Sequence, residues 1–485
     1  MQRLVTGPGR WFRGTGGREA RGLACGVIGP ARMIAFGASN VAPAGAVVGG
    51  LVIIVSYAGF ASPLVVLVAF VAALCCASSI GEFARQLPSA GSLYTYNSRG
   101  LGVVGGFLTG WMMVFAYALY VPAGISLTSA YASQLVADTV HVTVSDQVLF
   151  VVILAAAILV AYLGIGTSSW ADLALVSGEV AVIAALAITI LVKTGPAHYS
   201  AAVFSPTSSP HGRPTDITEA MIYGIAAFAG FETAATLGEE ARNTRRSVPA
   251  STISVVAVTG IFYLLVVLAE ALGVGRQGIV GFAGQASPLG YLTSRYWSPS
   301  VLWVVDLVLV LTGLGFVITA FNAAIRVLFA MGRERALPGS LARLSSRQTP
   351  VVAIGGLAVF TLALGLPLTY AYGGVQTFAY IAGPGGLSIV LVYLAVNIAI
   401  IRAFRGEFRE QFRLGRHLLI PATAAVLFLF PLWGIVRPPA YTLVNLLPFI
   451  ALGWLGLGII SVAILRRRRP ATFEALGKVF MPGEG

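Results

Sequence analysis

The chain has 485 residues, of which 57% are hydrophobic and only 10% are charged, and its net charge is +13. Soluble globular chains average about 25% charged residues, so this composition excludes a soluble enzyme of this size. Disorder is excluded as well, because the 57 glycines and 24 prolines are scattered through long apolar stretches and form no polar tracts. The sequence therefore predicts an all-α polytopic membrane protein.

Charge-free stretches set the number of membrane-spanning helices. An α-helix needs about 20 apolar residues to cross the hydrocarbon core of a bilayer, and stretches of that kind predict about twelve helices. Residues 348–401 contain no charged residue and accommodate two helices, with the turn at residues 370–375. In chain order, helices 1–12 are predicted at residues 29–57, 63–81, 105–137, 147–167, 172–192, 219–238, 250–272, 301–330, 351–369, 376–401, 418–436 and 441–465.

The distribution of Lys and Arg predicts the orientation, because short cytoplasmic loops retain positive charge. With both termini in the cytoplasm, five of the 31 basic residues lie outside and the other 26 lie inside. The outer five are Lys193, Arg213, Arg276, Arg295 and Arg437. We therefore expect an even number of helices in the cytoplasmic (inner) membrane. The arginine clusters flank the spans, so they indicate anchors on an anionic leaflet and no nucleic-acid partner.

The residue types needed for enzyme chemistry are badly placed. Three of the four histidines fall in outer loops and His417 falls at a cytoplasmic helix end, so we expect neither an intramembrane metal site nor a His-based triad. Cys75 and Cys76 are neighbours in an apolar helix, and Cys25 lies at the first membrane entry, so all three are interpreted as packing residues. No nucleotide-binding motif is present, and the sequence predicts no enzyme and no cofactor.

Helix 1 contains a break in its middle. Residues 36–45 (FGASNVAPAG) place Ser39, Asn40 and Pro43 at mid-span. Proline has no backbone N–H and disfavours the α conformation of the residue before it, here Ala42.

Helix 6 contains a second break, where residues 223–232 (YGIAAFAGFE) place Glu232 shortly after Gly230. If helix 6 repeats helix 1 after four intervening spans, the paired breaks indicate an inverted-repeat transporter with a site at the bilayer midplane. Ordinary kinks, which are frequent in membrane helices, are the alternative for either break alone. The glycine-rich patch at residues 383–386 (GPGG) predicts a further break in helix 10.

Three segments resemble the signature loops of amino acid permeases of the amino acid-polyamine-organocation superfamily, and the similarity extends from about residue 25 to 400. They are residues 88–102 (PSAGSLYTYNSRGLG), 228–249 (FAGFETAATLGEEARNTRRSVP) and 321–338 (FNAAIRVLFAMGRERALP). The resemblance implies a LeuT-like fold of two five-helix inverted repeats with broken helices 1 and 6. We expect a flexible cytoplasmic tail (1–22), a transporter core (23–404), helices 11 and 12 (405–466) and a second cytoplasmic tail (467–485).

In such a fold the substrate lies between the broken helices, flanked by helices 3, 8 and 10. Half-helix N-termini offer N–H groups to a substrate carboxylate, and the opposite carbonyls accept hydrogen bonds from its ammonium group. The expected substrate residues are Ala38, Ser39, Asn40, Met113, Tyr117, Phe228, Ala229 and Gly230. An interhelical contact is the alternative for Asn40. In the family, an aromatic residue near the position of Phe228 acts as a gate. The alternative role for Phe228 is packing in the hydrophobic core.

The helix 1 break differs from the Gly-Ser-Gly type signature of many family members, because this chain has ASNVAP at residues 38–43. A binding site formed by backbone N–H and carbonyl groups is compatible with this different sequence at the break. The class of substrate cannot be carried across from the family.

Acidic side chains inside the spans are candidates for coupling transport to an ion gradient. Glu232 follows the helix 6 break, where it either caps freed N–H groups or takes up a proton. In the family that the sequence resembles, this glutamate is tied to rearrangement of helix 6 and, in several members, to proton coupling. Glu179 is deep in helix 5, near the position of a lysine that replaces sodium in some family members. A structural hydrogen bond is its alternative role. Glu270 and Asp306 fall near the outer ends of helices 7 and 8 and are interpreted as interfacial, within reach of water.

Thr319 and Asn322 on helix 8 form a candidate sodium site. No carboxylate accompanies them, so a proton gradient is favoured over sodium. The expected function is secondary active transport of amino acids, with proton-coupled import by alternating access. An obligate exchanger of amino acids or amines and a non-transporting sensor on a permease scaffold are the alternatives. The expected partners are the small-molecule substrate and the lipid bilayer, and the oligomeric state stays open.

Overall fold

A computed structural model describes residues 29–87, 92–163, 169–236, 241, 243–285, 287–436, 446–468, 470 and 473. Within these residues, ten helical stretches are long and apolar enough to cross a membrane. The first, Met33–Gln86, contains both helix 1 and helix 2, and helix 6 is divided into pieces too short to be counted. The described part of the chain thus accounts for the twelve predicted helices.

Some sequence predictions fall outside the described residues. These are the tail at 1–22, Cys25, most of the tail at 467–485, and residues 88–91, 237–240 and 242 of the signature segments. Residues 164–167 of predicted helix 4, 441–445 of predicted helix 12 and the outer residue Arg437 also lie outside the described residues.

The twelve helices are long because few charges interrupt them, and a helix satisfies its own backbone groups in lipid. Helix 1 comprises Pro30–Val41, Pro43–Ala46, Val47–Leu51 and Val52–Ala58, and helix 6 comprises Pro214–Ala226 and Thr233–Thr236. Helix 3 is the part of Ser92–Val140 that follows Gly102. The others, in the order 2, 4, 5 and 7–12, are Ser62–Gln86, Asp146–Leu163, Ser169–Thr194, Thr244–Val274, Leu302–Arg333, Val351–Tyr372, Gly374–Arg405, Ile420–Val436 and Phe449–Arg468.

The two halves of the bundle pack in equivalent pairs. Helix 2 lies along helix 7, helix 3 along helix 8, and helix 4 along helix 9. The two members of each pair are five helices apart in the chain, and so are the broken helices 1 and 6. The arrangement confirms the predicted LeuT-like fold of five plus five helices.

Helix 1 breaks at the predicted place. The first segment ends at Val41, Ala42 has a left-handed conformation (φ 47°, ψ 66°), and the helix resumes at Pro43. Pro43 favours this outcome because it cannot continue a regular helix but fits well at the first position of a new one. The segment Val47–Leu51 then continues as a wider π-helical turn.

Helix 6 breaks after Ala226 and resumes at Thr233, with Gly230 between them at φ 109°. A Cβ atom at Gly230 would lie 2.5 Å from the carbonyl oxygen of Asn40 in helix 1. The two breaks therefore touch backbone to backbone, and only glycine allows both the conformation and the close approach.

Helix 10 runs unbroken from Gly374 to Arg405, so the predicted break at residues 383–386 is wrong. The glycines of this patch serve close packing instead. A Cβ atom at Gly386 would lie 3.1 Å from side-chain atoms of Ala226 and Ile222 in helix 6. The α-helical backbone continues through Pro384, next to this contact with helix 6.

The first signature segment is also different from the expected loop. Its described part, from Ser92 onward, is helical up to the turn at Gly102 (φ 82°). Arg99 on this short helix forms a bidentate ion pair with Glu407 after helix 10, at 2.5–3.1 Å. A Cβ atom at Gly100 would lie 2.5 Å from the Ala399 carbonyl oxygen, so the short helix packs directly on helix 10.

Helix 12 is joined to helix 3 by a reciprocal tryptophan pair. The indole N–H of Trp111 donates to the Trp454 carbonyl at 2.9 Å, and that of Trp454 donates to the Trp111 carbonyl at 3.1 Å. The two rings stack with centroids 4.5 Å apart. A Cβ atom at Gly458 would lie 2.7 Å from the Trp111 ring, so the glycine permits this contact.

Glu270 and Asp306 are not within reach of water, which corrects the interfacial interpretation. Their exposed fractions are 1% and 0%. Their carboxylate oxygens have no hydrogen-bond partner among the described residues. Distance from a helix end underestimates depth here, because the segments Ile279–Ala283 and Pro288–Tyr296 follow helix 7 and pack over that end of the bundle.

Candidate binding site between helices 1 and 6

A cavity of about 80 Å³ lies between the helix 1 and helix 6 breaks. This volume has room for about five water molecules. Helices 3, 8 and 10 complete its walls, and its described lining contains no charged side chain. The lining residues are Asn40, Val41, Gly45, Ala46, Val48, Gly50, Tyr117, Tyr120, Gly124, Leu127, Thr128, Tyr131, Tyr223, Ala226, Ala227, Ala229, Gly230, Thr233, Leu309, Gly313, Phe316, Thr319, Ala320, Ala323, Phe378 and Ala382.

The helix 1 break contributes mainly backbone groups. Asn40 lines the cavity, but its side-chain N–H donates to the Phe36 carbonyl at 2.7 Å, within its own helix. Ala38 and Ser39 do not line the cavity. The Ala38 carbonyl accepts from the Ala42 N–H, and the Ser39 hydroxyl is buried with no described partner.

The new helix segment that begins at Pro43 presents its first turn to the cavity through Gly45 and Ala46. The N–H groups of a first turn have no intrahelical partners. The Ala46 N–H already donates to the Ala42 carbonyl at 3.2 Å. The Gly45 N–H is therefore the donor that this turn offers to an anionic group at the cavity, with the positive end of the helix dipole behind it.

The helix 6 break contributes Ala229 and Gly230 to the lining. Phe228 does not reach the cavity. The Phe228 side chain is 1% exposed. Its ring stacks on Phe70, with centroids 6.1 Å apart, and packs edge-on against Tyr263, with centroids 5.2 Å apart. In this conformation Phe228 belongs to the core between helices 2, 6 and 7.

Helix 3 presents an aromatic stripe to the cavity. Tyr117, Tyr120 and Tyr131 line it, whereas Met113 does not. The sequence reasoning missed Tyr120, although Tyr117 and Tyr120 have the i, i+3 spacing of one helix face. The Tyr120 hydroxyl is buried without a described partner, so it is a free donor at the cavity wall.

Glu232 lies beneath the cavity, 2% exposed, and does not line it. Its carboxylate accepts hydrogen bonds from the Tyr117 hydroxyl at 2.8 Å, the Tyr393 hydroxyl at 2.7 Å and the Gly230 N–H at 2.9 Å. One carboxylate thus joins helix 3, helix 10 and the helix 6 break. The hydrogen bond from the Gly230 N–H is local in sequence, whereas the two tyrosines come from distant parts of the chain.

Glu179 does not reach the cavity either. It is 5% exposed, and its carboxyl lies against the Thr312 hydroxyl of helix 8 at a geometry that falls short of a hydrogen bond. A Cβ atom at Gly45 would lie 3.2 Å from the Thr312 methyl group. Glu179 therefore sits where helices 1, 5 and 8 meet.

Only one of the two candidate cation-binding residues on helix 8 reaches the cavity. Thr319 lines the cavity, whereas Asn322, one turn further along, does not. Within the described residues, no group of three or more His, Cys, Asp or Glu side chains has the arrangement of a metal site.

Comparison with known proteins places this chain in a family. The amino acid permease family model matches residues 30–457. The branched-chain amino acid permease BcaP of Bacillus subtilis is 26% identical over 433 residues, which covers 84% of this chain and 88% of that protein. BcaP of Lactococcus lactis subsp. cremoris is 26% identical over 403 residues, covering 78% and 83%.

The methylthioribose transporter of B. subtilis is 23% identical over 416 residues, covering 81% of this chain and 85% of that protein. Among solved structures, the manganese transporter of Eremococcus coleocola aligns with a TM-score of 0.56 at 14% identity, covering 90% of this chain and 95% of that one. At that identity the likeness shows the fold alone. The family match over most of the chain, together with the breaks in helices 1 and 6, shows that this protein belongs to the amino acid permeases, the membrane transporters of amino acids.

Proposed function

We propose that this permease imports neutral amino acids with apolar side chains, together with protons, by alternating access. The observation that carries the substrate class is the uncharged lining of the cavity between helices 1 and 6. A cationic side chain would enter this cavity without a carboxylate to pair with, at a large desolvation cost. The two BcaP relatives, named as branched-chain amino acid permeases, support the same class.

The main-chain groups of an amino acid match the backbone of the two breaks. The Gly45 N–H in the first turn after Pro43 and the free hydroxyl of Tyr120 are donors for the substrate carboxylate. The carbonyls that end the first segment of helix 1, at Asn40 and Val41, are acceptors for its ammonium group. The side chain then lies against Phe316 and Phe378.

Glu232 is the proposed coupling group. All three of its neighbours donate hydrogen bonds to a carboxylate. A proton on Glu232 would turn one acceptor into a donor and weaken the attachment of the helix 6 break to helices 3 and 10. Because Tyr117 both contacts Glu232 and lines the cavity, protonation and substrate binding act on the same hydroxyl.

Uptake into proteoliposomes tests the substrate class. Radiolabelled leucine, isoleucine and valine should accumulate, and lysine should not, because the cavity offers no counter-charge. An inward proton gradient should raise leucine accumulation, whereas an inward sodium gradient at constant pH should not. Lysine uptake at a rate comparable to leucine would contradict the proposed class. Leucine movement only against preloaded amino acid would identify an exchanger.

The substitution Glu232→Gln tests the coupling group. Glutamine cannot take up the proton and places an N–H₂ donor against groups that also donate. We expect leucine uptake to fall about tenfold or more and to lose its dependence on the proton gradient. Glu270→Gln, at a buried acid that has no hydrogen-bond partner among the described residues and does not line the cavity, is the matched control and should retain that dependence. Unchanged uptake and pH dependence in Glu232→Gln would overturn the assignment.

A further inference from the structure

A second cavity of about 760 Å³ lies far from the helix 1 and helix 6 breaks, between the end of helix 8 and the end of helix 12. It opens at the end of the bundle where helices 8, 10 and 12 carry arginines in their last turns. Its described lining combines two arginines with apolar side chains and contains no acidic residue. The lining residues are Phe107, Arg335, Ala336, Leu337, Pro338, Gly339, Ser461, Ile464, Leu465 and Arg468.

Arg335 has an unusual backbone. It follows helix 8 in the left-handed conformation, at φ 58°, where the next two N–H groups, of Ala336 and Leu337, both bond to the Met331 carbonyl at 2.9 and 3.1 Å. Glycine is the residue preferred at such a helix end. For an arginine, the left-handed conformation is higher in energy than it is for glycine. The Arg335 side chain lines the cavity.

Neither cavity arginine is neutralised by the described protein. Arg335 and Arg468 are exposed and take part in none of the ion pairs of the described residues. The nearest acid in sequence, Glu334, accepts a hydrogen bond from the Tyr94 hydroxyl at 2.5 Å and does not line the cavity. The cavity therefore presents two positive charges that fit an anion.

The helix 12 wall continues into an exposed apolar surface. Ser461, Ile464 and Arg468 are spaced at i, i+3 and i+7 on one helix face and all line the cavity. On the same helix Leu457, Ile460 and Ile464 have exposed fractions of 53%, 55% and 50%. In a membrane this surface faces acyl chains, so the arginines sit at the depth of the headgroups that end those chains.

We propose that this cavity binds the headgroup of an anionic phospholipid, with its phosphate between Arg335 and Arg468 and its acyl chains along Ile460 and Ile464. Guanidinium groups bind phosphate oxygens in a bidentate way, and basic pockets between membrane helices are suited to lipid headgroups. The apolar surface beside the arginines favours a lipid over a soluble phosphate. The site lies at a junction of helices 3, 8 and 12, where the Trp111 and Trp454 pair is also found.

The test is a thermal-shift titration of the full chain in detergent with dioleoylphosphatidylglycerol. Dioleoylphosphatidylcholine is the zwitterionic control and glycerol 1-phosphate is the soluble-phosphate arm. A ligand that binds the folded state raises its melting temperature. We expect phosphatidylglycerol to raise it at concentrations at which the other two compounds do not. Equal effects of the two phospholipids, or an equal effect of glycerol 1-phosphate, would overturn the proposal.

Two double variants separate a specific site from general attraction to positive charge. Arg335→Gln with Arg468→Gln removes the cavity charges, and Arg343→Gln with Arg467→Gln removes two exposed charges at the same end of the bundle that do not line the cavity. We expect the phosphatidylglycerol concentration for half the maximal shift to rise at least about tenfold in the first and less than about twofold in the second. Equal changes would show that the effect is general surface charge.

Ser461→Trp provides a variant that keeps both arginines. The indole would fill the cavity from the helix 12 side, so the response to phosphatidylglycerol should be lost while the melting temperature without lipid is retained. Retention of the full response in this variant would place the lipid elsewhere.

Discussion

Gly230 combines two requirements at a single residue. Its φ of 109° lies in a region that residues with a side chain rarely adopt, and its Cα faces the Asn40 carbonyl across the two helix breaks. The carbonyl is backbone and cannot rotate away as a side chain would. The contact between helices 1 and 6 thus depends on the absence of one methyl group.

The substitution Gly230→Ala should therefore abolish uptake and destabilise the protein by about 3 kcal/mol, from backbone strain and overpacking together. Leucine uptake and the melting temperature in detergent measure the two effects. Gly356→Ala is the matched control, because no atom lies within 4 Å of a Cβ at Gly356, and it should leave both unchanged. Near-normal uptake by Gly230→Ala would mean that the breaks are further apart than described.

A substitution at Tyr393 separates the role of Glu232 from the role of the residues that line the cavity. Its hydroxyl donates to Glu232 at 2.7 Å, but it does not line the cavity, unlike Tyr117. Tyr393→Phe should shift the pH dependence of uptake while the KM for leucine changes less than about threefold, since only the bond to the carboxylate is lost. A change in KM with an unaltered pH profile would assign Tyr393 to substrate binding instead.

Among the elements, helix 10 shows why a Gly and Pro motif does not by itself determine a break. Pro43 in helix 1 and Pro384 in helix 10 both follow a small residue. Only the residue before Pro43, Ala42, has a left-handed backbone conformation. Helix 10 is buried along much of its length, and its glycines fit against Tyr120 and helix 6. The difference comes from the neighbours and not from the proline.

Pro384→Ala should accordingly be tolerated. Alanine restores the helical N–H without adding bulk, so leucine uptake should stay within about twofold of the unmodified protein and the melting temperature should not fall. The comparable change in helix 1, Pro43→Ala, should reduce uptake more strongly, because it favours a continuous helix through the break. Loss of uptake in Pro384→Ala would show that helix 10 bends during transport.

At the scale of the whole molecule, the predicted distribution of Lys and Arg across the membrane is strongly asymmetric, and cysteine labelling tests the orientation that it implies. The sequence predicts that the His198 loop is outside and the Ser340 loop inside; both residues are exposed. In a background without the three native cysteines, a membrane-impermeant maleimide should label His198→Cys in intact cells. Ser340→Cys should react only after permeabilisation. The reverse pattern would contradict the placement of both termini in the cytoplasm.

The candidate site was predictable in part. Gly230 and the acid Glu232 follow from local sequence, because glycine and a carboxylate inside a span each conflict with a regular buried helix. Ala229 follows only from the family resemblance. The position of Phe228 in the core and the absence of Met113 from the cavity were not predictable. Both depend on how helices 3 and 6 are rotated about their axes within the bundle.

The sequence by itself determined the membrane class, the approximate helix bounds and the paired breaks, because apolar length and backbone chemistry are local properties of the chain. The tertiary structure decided the partners of those residues. Tyr117 and Tyr393 are 115 and 161 positions away from Glu232, so only the packing of helices 3, 6 and 10 could bring their hydroxyls to one carboxylate. The depth of Glu270 and Asp306 was decided in the same way, because burial depends on what the rest of the chain places over a residue.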